Sequence, residues 1–218
     1  CRDVSVCIVS GRPLAELRKM IRVPGLIYVG NHGFQVEGPG ARLIYKIPSE
    51  SRKALASIYN SIKKDLKDIP GALIENKLFT ISVHYRQVPE KKLVEAKKIF
   101  SRIVKPYSKK AKVVLSSGKK VWEVRPAIKW NKGTAVLWLL ERMEKRRGGQ
   151  IPILPIYIGD DRTDEDALKA VRKKGIGIKV TKNPSEFSYA TNYLSSSKEV
   201  FAFLRKLLLL KRTNISGR

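Results

Sequence analysis

The stretch that decides the fold is Ile156–Asp166, with the sequence IYIGDDRTDED. Its first three residues are apolar and predict the end of a buried strand, and Gly159 permits a sharp turn after it. The acids that follow lead into residues 167–171, ALKAV, which predict a helix. Acids in a first helical turn are stabilised by the helix dipole, and this ordinary role accounts for the acids from Asp164 to Asp166.

Asp160 and Asp161 need another explanation, because they stand side by side at the carboxyl end of the predicted strand. Adjacent carboxylates repel each other unless a cation lies between them and a substrate. Mg²⁺ is held in proteins by one or two carboxylates together with phosphate oxygens, and ligands of α/β sheets bind at the carboxyl ends of strands. The sequence therefore predicts a magnesium site at this turn.

The chain is strongly basic, with 45 Lys and Arg residues against 19 Asp and Glu residues and a formal net charge of +26. Such a balance favours an anionic partner. The basic residues are spread along the sequence, however, and no RNP-like aromatic motif, zinc finger or helix-turn-helix pattern accompanies them. We therefore expect a solvated basic surface, and nucleic acid is not the predicted partner.

Cys1 and Cys7 are the two cysteines of the sequence, which supports neither a disulfide framework nor a zinc site. Their scarcity predicts a reducing location, the cytoplasm. No apolar run reaches the length of a membrane helix, since the four leucines at 207–210 are flanked by basic residues. The chain begins with cysteine rather than methionine, so we expect that a segment precedes it.

Two short apolar runs near the start predict strands. Val4–Val9 is continuous enough to be buried on both faces, as in a parallel sheet. Ser10 follows it and can offer a hydroxyl to an anion, although Ser-Gly taken alone favours a simple turn. The second run, Leu26–Val29, leads into a tight loop that presents His32, a residue whose role is more often structural than chemical.

Residues 43–127 predict a helix and a hairpin repeated twice, an α+β unit distinct from its flanks. Polar side chains near the strand ends of this unit are candidates for ligand contact, with a solvated sheet face as the alternative: His84, Arg86, Glu123 and Arg125. After this unit, Lys132 opens a helix, where its charge opposes the dipole. A lysine that is unfavourable there for stability is well placed to bind a phosphate.

Taken together, these motifs resemble those of the haloacid-dehalogenase superfamily and, within it, the trehalose-6-phosphate phosphatase family. The resemblance covers nearly the whole chain. It rests on Ile8–Arg12, Gly30–Gly33, His84–Arg86, Glu123–Pro126 with Lys132-Gly133, and Gly159–Asp166, in this order.

The resemblance implies an α/β fold, a Rossmann-like three-layer core with an inserted α+β cap. The core would comprise residues 1–42 and 128–218, and the cap residues 43–127. It further implies the Mg²⁺-dependent removal of phosphate from trehalose 6-phosphate, the last step of trehalose biosynthesis. The implied ligand is a sugar phosphate, and a trehalose-phosphate synthase domain or subunit is an implied partner.

The resemblance also assigns roles to individual residues. It implies that Ser10 and Lys132 bind phosphate, that Asp160 binds Mg²⁺, and that Asp161 and Asp164 support the metal site. The implied substrate-binding residues are Arg12, Asn31, His32, His84, Arg86, Glu123 and Arg125. Such a site fits phosphoryl transfer, which depends on positioning and charge neutralisation.

One family motif is missing from this sequence. The family attacks phosphorus with the first aspartate of an Asp-x-Asp-Gly-Thr motif, and no such motif occurs in the 218 residues. In the family it precedes the segment of Ser10 by one βα unit, roughly 30 residues. We therefore expect the nucleophile upstream of Cys1, and we expect these residues alone to hydrolyse no phosphomonoester.

Three classes of function stay open on the sequence. The first is a phosphatase that acts through an aspartyl-phosphate, and the second is a non-catalytic relative that binds sugar phosphates. The third is a basic protein associated with nucleic acid, whose polyanion binding would fall steeply with salt. The sequence also leaves the identity of the sugar undecided, because sucrose and mannosylglycerate phosphatases of the superfamily share much of this pattern.

Overall fold

The computed structural model describes residues 4–149 and 152–216, with side chains to residue 210. It divides into two compact units, of which the first ends at Asn131 and the second begins at Lys132. Each unit combines helices with β-sheet, so the predicted α/β class is confirmed. The assignment of residues 43–127 to an inserted cap stays a prediction.

The first unit opens with a four-stranded sheet in the order β1-β2-β3-β4. Its elements are β1 (Cys7–Val9), α1 (Leu14–Met20), β2 (Ile27–Gly30), β3 (Gln35–Gly38) and β4 (Ala41–Ile44). β1 and β2 run parallel, as predicted, and the other pairs are antiparallel.

The first predicted strand was too long and was wrongly expected to be buried. Only its last three residues form β1, while Val4 and Val6 are 51% and 49% exposed. Among the described residues β1 pairs with β2 alone, which leaves its other edge uncovered.

The predicted repeat of helix and hairpin follows and is confirmed. Its elements are α2 (Ser49–Asp65), β5 (Leu73–Asn76), β6 (Ile81–His84), α3 (Glu90–Lys109), β7 (Val113–Gly118) and β8 (Val121–Pro126). The four strands form an antiparallel sheet in the order β5-β6-β8-β7. In its register Glu123 lies opposite Ser82 on one side and Ser116 on the other.

The core of the first unit anchors the loop that carries His32. Phe34 follows that loop directly and stacks on Phe79, with ring centroids 5.2 Å apart. Both rings belong to one apolar cluster with the buried faces of α2 and α3, which include Ile58 and Phe100. Because an offset stack of buried rings resists displacement, the loop is fixed at its carboxyl end.

The second unit is a parallel sheet with helices. Its elements are α4 (Lys132–Arg146), β9 (Ile156–Gly159), α5 (Glu165–Val171), β10 (Ile176–Val180), β11 (Asn192–Leu194) and α6 (Ser197–Ser216). The strands lie in the order β11-β10-β9. Sequence patterns predicted α4, β9 and α5, whereas the three residues of β11 are too few for a periodic signal. Parallel strands end at one edge of their sheet, and this edge carries the acidic turn.

None of the helices in the part of the chain that the structure describes is both long enough and apolar enough to cross a membrane.

Candidate functional site

In the second unit, the residues after β9 form a turn that we call the acidic loop, Asp160–Asp164. Asp164 is buried, and its side chain is only 8% exposed. Its Oδ1 accepts hydrogen bonds from the ammonium of Lys132 at 2.8 Å and from the hydroxyl of Tyr157 at 2.7 Å. Its Oδ2 accepts from the backbone N–H groups of Asp160 at 3.2 Å and Asp161 at 3.0 Å. One carboxylate thus joins the start of α4, the strand β9 and the loop itself.

This network fixes the charge states of its members. Burial on its own would raise the pKa of Asp164, but the charge and hydrogen bond of Lys132, together with the hydrogen bonds of Tyr157 and the Asp161 backbone, outweigh it and lower that pKa below the usual value. Burial raises the pKa of Tyr157, and the charge of Asp164 raises it further. Tyr157 therefore stays a neutral donor, and Asp164 stays an anion paired with the ammonium.

Gly159 is required by the position of Asp164. A Cβ atom at residue 159 would lie 2.6 Å from both the Cβ and the Cγ of Asp164, far inside van der Waals contact. The glycine therefore lets the carboxylate fold back onto the end of β9, where the loop amides reach it.

The other two acids of the loop are exposed. The Asp161 carboxylate accepts from the backbone N–H of Arg162 at 2.7 Å and caps the short turn of 3₁₀ helix at Arg162–Asp164. Asp160 lies at the carboxyl end of β9 and is open to solvent. The described residues contain no group of three or more His, Cys, Asp or Glu side chains arranged to hold a metal ion. Mg²⁺ needs only one or two protein carboxylates when phosphate and water complete its shell, so this donor set fits that ion.

A second ion pair, largely buried, lies behind the loop, and sequence reasoning missed it. Lys179 of β10 donates to Glu165 at 2.9 Å and to the carbonyl of Asp161 at 3.3 Å. Glu165 also accepts from the hydroxyl of Ser188 at 3.0 Å and from the backbone N–H of Tyr189 at 2.8 Å. The sequence feature that could have indicated this ion pair is the lysine inside the otherwise apolar run Ile176–Val180.

In the first unit, the loop after β1 and the loop after β2 are bonded to each other. The backbone N–H of His32 donates to the carbonyl of Ser10 at 3.0 Å, and that of Asn31 donates to the carbonyl of Arg12 at 2.7 Å. A Cβ atom at Gly11 would meet the imidazole of His32 at 2.5 Å. The close approach of this ring therefore requires glycine at residue 11. The contact between the two loops brings four of the predicted site residues together.

His32 reaches from this loop to Glu123, which lies 91 positions away in the sequence. Its Nε2 is 3.2 Å from the Glu123 carboxylate, and the two side chains are 6% and 11% exposed. The hydroxyls of Ser82 and Ser116 donate to the same carboxylate, each at 3.4 Å. The structure thus places two of the predicted substrate-binding residues in one buried polar cluster.

The charge of Glu123 is stabilised in place. Burial alone would raise its pKa, but the hydrogen bond and charge of His32, followed by the charges of Lys77 and Arg125, lower that pKa to about 2. Glu123 is therefore an anion over the physiological range.

The remaining predicted residues of the first unit lie at different depths. His84 is half-buried and bonds to Glu75 at 3.0 Å, not to Glu123. Arg86 and Arg12 are exposed, and Arg12 forms an ion pair with Glu16. Ser10 accepts from the backbone N–H of Arg12 at 3.2 Å, and Asn31 donates to Gln35 at 2.7 Å.

Several buried side-chain atoms of the described residues lack a hydrogen-bond partner. They are Asn31 Oδ1, His32 Nδ1, Thr80 Oγ1, Arg125 Nε and Thr163 Oγ1. Three of these five atoms belong to predicted substrate-binding residues of the first unit. A buried polar atom without a partner is unfavourable, so each of these atoms needs a partner such as water or a polar ligand.

Comparison with known proteins gives consistent matches. A model of the trehalose-phosphatase family matches residues 1–199. The probable trehalose-phosphate phosphatase D of Arabidopsis thaliana is 38% identical over 228 residues, which covers 100% of this chain and 60% of the relative. The probable trehalose-phosphate phosphatase 4 of Oryza sativa subsp. japonica is 37% identical over 215 residues, which covers 96% and 57%. The chain therefore spans 60% or less of the length of these curated relatives.

Solved structures share the fold. The C-terminal domain of trehalose-6-phosphate phosphatase from C. albicans superimposes with a TM-score of 0.71 at 22% identity, and the match covers 90% of this chain and 75% of that one. A trehalose-6-phosphate phosphatase related protein gives a TM-score of 0.71 at 21% identity, with 98% and 84% covered.

The contact between Gly159 and Asp164 predicts the effect of adding one methyl group. Gly159→Ala should lower the free energy of unfolding by about 1–3 kcal/mol, as expected for overpacking. Gly177→Ala in β10 is the matched control, because the nearest atom to its Cβ would be a side-chain methyl of Leu168 at 3.2 Å, with backbone atoms no nearer than 3.6 Å. Denaturant unfolding of both variants checks this, and an equal loss in the two would contradict it.

The lowered pKa of Glu123 predicts a pH dependence of stability. Because this pKa falls from 4.5 to about 2 on folding, the stabilisation is present above about pH 4.5 and is lost as the pH falls towards 2. The difference between the unfolding free energies of wild type and Glu123→Gln should therefore shrink as the pH falls from about 4.5 towards 2. A difference that stays constant down to about pH 2 would show that the carboxylate is not held as an anion.

Proposed function

Because this chain belongs to the trehalose-phosphatase family, we propose that it supplies the phosphate-, metal- and sugar-binding residues for the hydrolysis of trehalose 6-phosphate. The observation that carries the proposal is the family match over residues 1–199, which includes the acidic loop and the His32–Glu123 cluster. The unpartnered atoms of Asn31, His32 and Arg125 support it, because a sugar phosphate offers both donors and acceptors.

Lys132 is the proposed phosphate ligand of the second unit. Its ammonium is held by Asp164 at 2.8 Å, and an ammonium has three hydrogens to donate. A lysine that is already fixed by a carboxylate loses little conformational freedom when it also binds a phosphoryl oxygen. Ser10 is the proposed ligand of the first unit, through its hydroxyl at the end of β1.

Asp160 is the proposed Mg²⁺ ligand, with Asp161 and Asp164 as supports. When bound, the ion would neutralise charge on the phosphoryl oxygens. The chain prepares this site by fixing the amides of Asp160 and Asp161 on Asp164. The exposed Asp160 carboxylate then projects from a turn whose backbone is already ordered.

The sugar is assigned to the first unit. Glu123 stays ionised and His32 is oriented by it, so the cluster presents a fixed carboxylate and imidazole to sugar hydroxyls. His84, Arg86, Arg125, Asn31 and Arg12 are the further proposed contacts. Charge-assisted hydrogen bonds of this kind are about twice as strong as neutral ones, which favours them for recognition.

The proposal requires an attacking aspartate from outside these 218 residues, because no Asp-x-Asp-Gly-Thr motif occurs in them. A trehalose-phosphate synthase domain or subunit is the proposed partner, since it would deliver the substrate. A reducing cytoplasmic location is also part of the proposal. Cys7 fits it, because it is a free thiol.

The protein encoded by the complete reading frame allows a test that separates the two groups of residues. Glu123→Gln should reduce kcat/KM for trehalose 6-phosphate roughly 10- to 100-fold, because a hydrogen bond to a charged group contributes about 1.5–3 kcal/mol. It should spare p-nitrophenyl phosphate, which has no sugar. Lys132→Met should damage both substrates, because both carry the phosphoryl group.

The exposed acid Glu186 provides the control, and Glu186→Gln should change neither activity. Each rate is divided by the folded fraction, measured from the thermal unfolding of the same variant. Equal losses on both substrates for Glu123→Gln would contradict the assignment of Glu123 to sugar recognition. Absence of any turnover of trehalose 6-phosphate by the wild type would contradict the proposed activity itself.

A further inference from the structure

Lys179 is a buried lysine that neither the sequence motifs nor the proposed chemistry uses. It is 7% exposed and lies within β10 between Ile178 and Val180. A lysine is almost never buried unless its charge is paired, because removing an ammonium from water is unfavourable. Its presence in an otherwise apolar strand therefore needs a reason.

The contacts of Lys179 connect it to the acidic loop. In the parallel register it lies beside Gly159, the residue that ends β9. Its Nζ donates to the Glu165 carboxylate at 2.9 Å and to the carbonyl of Asp161 at 3.3 Å. The same carbonyl accepts from the backbone N–H of Asp164 at 3.1 Å. The peptide after Asp161 is therefore held by one backbone donor and one ammonium.

Two lysines thus each form an ion pair with one acid of the acidic stretch. Asp164 is paired with Lys132 and Glu165 with Lys179, and both pairs are largely buried. Asp160 and Asp161, by contrast, are exposed. The two paired acids hold the chain, and the exposed acids are left to meet solvent or a ligand.

We propose that Lys179 is a positioning residue for the divalent cation at Asp160: by holding the Asp161 carbonyl and Glu165, it keeps the exposed carboxylate in the geometry that binds the ion. This inference rests on the proposed metal site. A positioning role and a purely electrostatic role predict opposite changes in cation affinity when Lys179 is removed. A nearby ammonium repels a cation, so a role through charge alone would make its removal strengthen binding. A positioning role makes its removal weaken binding.

Mn²⁺ binding to the protein encoded by the complete reading frame, followed by the electron paramagnetic resonance signal of the free ion, distinguishes these two outcomes. Lys179→Met should weaken binding on the order of tenfold, as expected when a charge-assisted hydrogen bond is lost. Lys179→Arg, which keeps both charge and donors, should restore most of the affinity. Lys182→Met removes the same charge from an exposed position three residues on and should leave the affinity unchanged. Equal or tighter binding by Lys179→Met would overturn the proposal.

Amide hydrogen exchange without metal provides a second readout. The amides of Asp160, Asp161 and Asp164 should exchange on the order of tenfold faster in Lys179→Met, while those of β9 and β10 keep their wild-type rates. Unchanged loop exchange would overturn the positioning role, even if stability fell. If Lys179→Met does not fold, Lys179→Gln should shift both readouts in the same direction. If the wild type binds no Mn²⁺, the proposed metal site fails, and the exchange rates still decide whether Lys179 orders the loop.

Discussion

The second unit depends on one buried carboxylate. Asp164 accepts four hydrogen bonds, from Lys132, Tyr157 and two loop amides, and these donors come from a helix, a strand and a turn. Removing one partner of a buried ion pair leaves a bare charge and costs about 3–5 kcal/mol, so none of the three elements can shift independently. The same carboxylate therefore holds the ammonium of Lys132 in place. It also positions the exposed Asp160, whose backbone N–H donates to it. Stability and the proposed chemistry share a single group.

The first unit uses a comparable arrangement. Glu123 accepts from two serine hydroxyls and pairs with His32, so a buried anion again holds a basic group in place. The loop that presents His32 is strained, because Asn31 and His32 have φ angles of 50° and 56° in the left-handed region. Such conformations cost of order 1 kcal/mol or more per residue and persist where surrounding contacts enforce them. The backbone bonds to Ser10 and Arg12 provide that enforcement.

Local sequence patterns were sufficient for the parts of the molecule that are set locally. The acidic turn, the helix that begins at Lys132 and the repeated helix and hairpin all follow from apolar periodicity and turn residues, and the structure contains them. The pairing of His32 with Glu123 could not be derived in this way, since it depends on where two distant segments pack. Tyr157 and Lys179 were missed for a related reason. Each stands in an apolar run, and its partner lies in the loop or helix that follows β9 and folds back onto the strands. Asp164 was attributed to the helix dipole, although its burial gives it the larger structural role.

The central claim is that Asp164 and Lys132 act as a coupled pair that organises the acidic loop. A double-mutant cycle with Lys132→Met, Asp164→Asn and the double variant, read out as free energies of unfolding, tests it most directly. We predict a coupling energy of about 2 kcal/mol or more, because each single variant leaves its partner buried without a counter-charge, whereas the double variant removes both charges. Additive losses, with a coupling energy near zero, would contradict the claim.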